Sequence, residues 1–229
     1  MHCVDVWTVA DENRAIDSPS TWSLLSDSEK RRALRFIDPE DRLTYVAGRS
    51  AIRQLTGYQL GTDPRAVRII SGPFGKPYID SDEPAGPLWF NISHSRGQVM
   101  IATAASTPVG IDVQWMDPDR DAQRIADRFF RTEEARYLSG LAEPQKTLAF
   151  YRMWVRKEAY LKAVGTGIGS GLHTAPSQLP EAINDLRPEA DAAEFDRWSI
   201  IDIAANFGFL AAVCGLAPLK IGSLRQFKV

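Results

Sequence analysis

The chain has 229 residues, 44% hydrophobic and 24% charged, and 27 Lys and Arg against 29 Asp and Glu give a formal net charge of −2. Charges this evenly balanced exclude a protein whose whole surface grips nucleic acid. No stretch reaches the roughly 20 apolar residues that cross a bilayer, and 16 Gly with 14 Pro exclude collagen-like and low-complexity classes.

Residues 3–9 alternate and predict a strand with Cys3, Asp5, Trp7 and Val9 on one face. The same end has neither the basic nor the long apolar segment of a signal peptide, so a cytoplasmic protein is expected. Ser26 followed three residues later by Glu29 has capping-box spacing and opens a helix carrying Lys30, Arg31, Arg32 and Arg35. Alone, that cluster reads as a solvated helix face. A second helix is predicted over 39–57, with Leu43, Val46, Ala47, Ile52 and Leu55 roughly on one stripe. Short strands follow at 67–70, 88–93 and 99–103, with a turn-rich loop over 71–77. A strand over 109–114 opens the second half, followed by helices at 121–129, 132–141 and 145–163. Residues 173–194 read as a surface loop, and 196–204 with 207–214 as a closing hairpin turning at Asn206. Each half thus runs strand, helices, strands, which predicts an α+β fold rather than a doubly wound sheet. No dinucleotide-binding or P-loop motif is present.

Cys3 and Cys214 lie in apolar strand-like contexts outside any CxxC pair and are expected to be buried, reduced thiols. The three histidines have no paired Cys/His spacing, so a metal here would be a hard ion held by oxygen. In the strand over 109–114, Val109, Ile111 and Val113 take one face and Gly110, Asp112 and Gln114 the other. On the helix over 145–163, Tyr151, Trp154, Val155, Glu158, Leu161 and Lys162 share a side. Glu158 and Lys162 therefore sit with Trp154 rather than opposite it. Asn91-Ile92-Ser93-His94-Ser95 ends a strand in hydrogen-bonding groups suited to phosphate oxygens. A Ser-His nucleophile is excluded there, because adjacent strand residues point to opposite faces.

Gly75-Lys76-Pro77, then Ser93-His94-Ser95, then Gly110-Ile111-Asp112, then Trp154-Val155-Arg156-Lys157-Glu158 with Lys162 occur in this order and at these spacings. Together with residues 30–36, the pattern resembles the Sfp-type 4′-phosphopantetheinyl transferase family over about residues 24–172. The resemblance implies two similar α+β subdomains related by a pseudo-two-fold axis, residues 1–107 and 108–229, with the active site at their interface. It implies transfer of the phosphopantetheine arm of coenzyme A to a serine of an apo acyl or peptidyl carrier protein. Polyketide or nonribosomal peptide synthesis is the expected setting, and the protein a monomer that binds neither nucleic acid nor membrane.

By the same resemblance, Asp112 and Glu158 hold Mg²⁺. Glu158 activates the serine, with a lysine as the alternative base, and Lys162 lies on the pyrophosphate with Lys157 nearby. Arg32 takes the 3′-phosphate, Gly75 and Lys76 the adenine and phosphate side, and Ser93 and His94 the nucleotide phosphates. Gln114 departs from the pattern, where many members have Glu; its amide oxygen or a water it holds would complete the metal shell. Residues 126–131 would face the carrier, with at least one of Phe129 and Phe130 in the core. The rival readings are a coenzyme A- or carrier-binding protein without catalysis and a metal-dependent phosphohydrolase.

Overall fold

The alternating segment at the start forms β1 (His2–Ala10) in a computed structural model that describes residues 1–10, 17–72, 74–80, 88–167, 171–177 and 194–228. Both faces of β1 are used: Val4 and Val6 are fully buried in one core, while Trp7 and Val9 pack into another. Cys3, expected to be buried, is exposed beside Gly222, so only Cys214 is a buried thiol.

A short helix the sequence reading lacked, α1 (Pro19–Leu24), starts on a Ser18 cap. Next, α2 (Asp27–Ala33) has the expected capping box: Ser26 N–H donates to Glu29 Oε2 at 2.8 Å, and Glu29 N–H donates to Ser26 Oγ at 3.3 Å. Pro39 at its first turn opens α3 (Pro39–Leu60), and Gly61 closes it in the left-handed conformation at φ 63°. Val46, Ala47, Ile52 and Leu55 of α3 lie in the same core as Val9.

The small pair β2 (Ile69–Ser71) and β3 (Pro77–Ile79) flanks the turn-rich loop. Then come β4 (Trp89–Ser95), β5 (Gln98–Ala104) and β6 (Val109–Trp115). The helices α4 (Ala122–Phe129), α5 (Thr132–Ser139) and α6 (Gln145–Val164) follow within two residues of expectation. The hairpin of β7 (Trp198–Ile203) and β8 (Phe209–Leu216) closes the second half. The loop expected over 173–194 falls mostly outside the described residues.

Two main sheets result, ordered β4-β5-β1-β9 and β6-β8-β7. Within each half the first strand pairs antiparallel with the last strand of a hairpin, as β1 does with β5 and β6 with β8. The molecule is therefore α+β with the same strand arrangement used twice. The final strand, β9 (Leu219–Lys228), departs from the expected division: it leaves the second half and pairs in parallel with β1. A division at 107/108 therefore does not follow the sheets at the C-terminal end. Val4, Val6, Met100 and Ala102 share one core with Val109, Ile111, Val113 and Val213, so the sheets are packed on each other.

Candidate active site

Val109, Ile111 and Val113 of β6 are fully buried on one face, which sends Gly110 and Asp112 to the other, against α6. Gly110 is required there: a Cβ would collide with the Ala159 carbonyl and the Ala163 amide of α6. This close approach sets Glu158 and Lys162 over Asp112. The Lys162 ammonium donates to Asp112 Oδ1 at 2.5 Å and to Ser93 Oγ at 3.1 Å, and stands 3.8 Å from Glu158 Oε2. Ser93 donates to Asp112 Oδ1 at 2.8 Å and accepts from Val113 N–H at 3.2 Å.

Asp112 and Glu158 are 4% and 5% exposed, so the cluster is nearly dry. Burial first, and the neighbouring Asp112 charge second, raise Glu158 to about 7, while Lys162 opposes the rise. Asp112 Oδ2 is buried with no hydrogen-bond partner among the described residues. Two buried carboxylates, one with an orphaned oxygen, leave negative charge that a single ammonium only partly answers. Among the described residues no group of three or more His, Cys, Asp or Glu converges as a metal centre. Two carboxylates are nevertheless the donor set Mg²⁺ takes when waters and substrate phosphates complete its shell. Gln114, two residues beyond Asp112 on the same strand face, is half-buried and can offer an amide oxygen or hold a water.

Lys162 also lines a cavity of about 260 Å³ with Phe74, Gly75, Lys76, Asn91 and Gly165. At Gly75 and Asn91 it meets a second cavity, of about 210 Å³, reached by Arg32, Tyr45, Arg49 and His94. The guanidinium carbons of Arg32 and Arg49 stand 5.7 and 5.5 Å from the Tyr45 ring centroid. The helix bearing Arg32 is fixed from below: buried Glu29 accepts from Arg53 Nε and Nη2, both at 2.8 Å. Arg32 and Arg49 both line the second cavity, and among the described residues the nearest carboxylate to either guanidinium is Glu29, 3.8 Å from Arg49. Arg49 and Tyr45 were missed from sequence; both lie on α3, where no charge run or motif marks them.

The remaining expected contacts divide. His94 opens toward the arginine cavity, and surrounding protein, then the Lys162 cation, lower its pKa. Ser93 points to the opposite face of β4 and is occupied by Asp112, Lys162 and Val113. Lys76 lines the first cavity with its stem, while its ammonium donates to Ala163 O at 2.9 Å and Val109 O at 3.3 Å. Burial lowers Lys76 to about 8.

Lys157 is a correction. Its side chain is 0% exposed and its ammonium is bound by Glu134 at 2.8 Å, Leu172 O at 2.8 Å and Ala175 O at 2.6 Å. All three protons have acceptors inside the protein, so Lys157 is a structural cation and not a ligand contact. Phe130 is in the core, stacked on Phe150 at 5.5 Å, and Phe129 is 39% exposed beside Arg128.

Two family descriptions match the chain one after the other: "4'-phosphopantetheinyl transferase, N-terminal" over residues 17–106 and "4'-phosphopantetheinyl transferase superfamily" over residues 108–214. The 4'-phosphopantetheinyl transferase HetI of Nostoc sp. strain PCC 7120 is 31% identical over 210 residues, 92% of this chain and 86% of that protein. The 4'-phosphopantetheinyl transferase Sfp of Bacillus subtilis strain 168 is 32% identical over 198 residues, 86% of this chain and 84% of that protein. The L-aminoadipate-semialdehyde dehydrogenase-phosphopantetheinyl transferase of Pongo abelii is 31% identical over 166 residues, 67% of this chain and 54% of that protein.

Proposed function

This chain belongs to the 4′-phosphopantetheinyl transferase superfamily, and on that premise we propose that it moves the phosphopantetheine arm of coenzyme A onto a serine of an apo acyl or peptidyl carrier protein. Adenosine 3′,5′-bisphosphate is the other product, and the setting is cytoplasmic polyketide or nonribosomal peptide synthesis by a monomer. The observation that carries the reading is the pair of adjoining cavities, sharing Gly75 and Asn91, that lie between Arg32 and Arg49 at one end and Lys162 at the other, with buried Asp112 and Glu158 against that lysine.

The serine oxygen bonds to the β-phosphorus as the bond from that phosphorus to the oxygen bridging the two phosphates breaks, and the serine proton must go to a base. Glu158, raised to about 7, can hold that proton near neutral pH. Lys162 places positive charge beside the oxygens where negative charge develops. Asp112 holds that ammonium at 2.5 Å, closer than the 3.8 Å that separates it from Glu158. Arg32 and Arg49, presented by two helices tied through Glu29 and Arg53, take the 3′-phosphate, and His94 and the Gly75 backbone line the way between. Asp112 and Glu158, with Gln114 at one remove, would hold Mg²⁺, which when bound would neutralise pyrophosphate charge. Phe129 with Arg128 offers the apolar and basic components that an acidic carrier helix recognises.

The test incubates the protein with coenzyme A, Mg²⁺ and apo carriers from fatty-acid, polyketide and nonribosomal peptide synthesis. Each carrier served gains the mass of the phosphopantetheine arm, and a carrier with its serine replaced by alanine gains none. Gln114 favours the second reading, a binding protein without catalysis; retained coenzyme A binding with no mass gain on any carrier would establish it. Release of the nucleotide without any carrier would instead mark a phosphohydrolase.

A further inference from the structure

Among the described residues β6 is an outer strand: β8 pairs with one edge, and no strand with the other. Alternate residues of a strand aim their N–H groups at the same edge. The free edge of β6 therefore presents the N–H groups of Ile111, Val113 and Trp115, the first two fully buried. Buried amides without acceptors are costly. Each of these has one, and it comes from a side chain: Asn91 Oδ1 at 3.0 Å, Ser93 Oγ at 3.2 Å and Ser95 Oγ at 3.0 Å. The sequence offset is 20 at every rung, so β4 runs beside β6 in the same direction. Side-chain oxygens of β4 stand where a neighbouring strand would present carbonyls. In the other half, β1 has backbone partners on both edges, β5 and β9.

The middle rung, Ser93, touches the reacting cluster itself. The outer rungs do not: Ile111 and Trp115 lie on either side of Asp112, and neither Asn91 nor Ser95 bonds to Asp112, Glu158 or Lys162. We propose that Asn91 and Ser95 are positioning residues, pegging β6 at two points that flank Asp112 and so fixing its carboxylate against Lys162. Without these pegs the strand edge is free to tilt away from β4, and Asp112 moves with it. A shift of about 1 Å at a reacting group can cost on the order of 100-fold in rate. The proposal rests on Asp112, Glu158 and Lys162 being the site of transfer.

Asn91→Ala and Ser95→Ala are compared with wild type and with Ser95→Thr, which keeps the hydroxyl. Backbone amide exchange is read at Ile111 and Trp115, and kcat and KM for coenzyme A with a carrier the wild type serves. Asn91→Ala is expected to speed exchange at Ile111, and Ser95→Ala at Trp115, by about 10-fold or more. Both lower kcat by about 10-fold or more, with KM within about 2-fold. Ser95→Thr restores both readouts. Faster exchange with kcat unchanged would make the rungs structural only and overturn the proposal. So would unchanged exchange, or a raised KM with kcat intact, which would mark Asn91 as a ligand contact in the cleft it lines. If Asn91→Ala fails to fold, the half-buried Ser95 pair decides alone. A wild type that transfers to no carrier overturns the transferase reading, and the positioning role falls with it; an active wild type whose variants keep kcat overturns only the positioning role.

Discussion

Asp112 and Glu158 repel each other in a nearly dry space, and Lys162 is the ammonium within 4 Å of both. Replacing Glu158 by Gln removes the group proposed to take the serine proton and also relieves the repulsion with Asp112. Glu158→Gln is therefore expected to fold at least as stably as wild type and to lose about 100-fold or more in kcat. The carrier mass gain measures the rate, and thermal unfolding the fold; near-normal turnover would remove Glu158 from the proton transfer. At the cleft's other end, Arg32→Ala should raise KM for coenzyme A by about 10-fold. It should leave the analogue lacking the 3′-phosphate nearly unaffected, and equal effects on both would take Arg32 off that phosphate. Gln114→Glu adds a carboxylate to the strand face of Asp112 and is expected to lower the Mg²⁺ concentration for half-maximal activity. An unchanged requirement would separate Gln114 from the metal. The faces that Asp112, Glu158 and Lys162 take were legible in the sequence, because strand and helix periods decide them; that the three belong to one site was implied only by the family resemblance. The role of Lys157 was not legible, because its position beside Glu158 says nothing of Glu134, which arrives from another helix.

That misreading has its cause at the scale of the element. A surface helix buries one stripe, but α6 is central: Phe150, Met153, Val155, Lys157, Ala159 and Leu161 are buried around its circumference. A lysine on such a helix meets protein whichever way it points. Burial first lowers Lys157 to about 8, and Glu134 opposes the shift. Lys157→Met would take from Glu134, 1% exposed, its closest cation and leave it only the Arg131 N–H at 2.9 Å and the Arg131 guanidinium at 3.6 Å, costing about 3 kcal/mol. The double variant Lys157→Met with Glu134→Met removes both charges but also the acceptor of Arg131 N–H, and is expected to recover part of that loss. Denaturant unfolding measures both. If the single variant kept full stability and lost coenzyme A affinity instead, Lys157 would be a ligand contact after all. The helices and most strands were legible from periodicity and caps, whereas β9 was not. Its apolar positions Leu219 and Ile221 shift phase after Gly222, where the pairing with β1 changes register between Val4 and Asp5. Its partner lies more than 200 residues away, as in the 218-residue separation of the Ser223 to Asp5 hydrogen bond, so no local pattern announces the pairing.

At the scale of the whole molecule, the two sequence halves are not two folding units. The β1 and β5 residues Val4, Val6, Met100 and Ala102 are packed against Ile111, Val113, Ala211 and Val213, all at 0–2% exposure. A fragment ending at residue 107 would bare that face and lose β9 from the edge of β1, while one starting at 108 would lose the side-chain acceptors on β6. Each would expose several large aliphatic side chains at about 1.5–3 kcal/mol apiece, comparable to the whole stability of an ordinary domain. Fragments 1–107 and 108–229 are therefore expected to lack cooperative unfolding when separate, and to regain it, with transferase activity, when mixed. The intact chain should unfold in one transition, with tryptophan fluorescence and far-ultraviolet circular dichroism coincident. Two resolved transitions, or a cooperatively folded 1–107 alone, would mean that the lobes stand independently. The cleft between Arg32 and Lys162 would then be set by a hinge between lobes and not by the core they share.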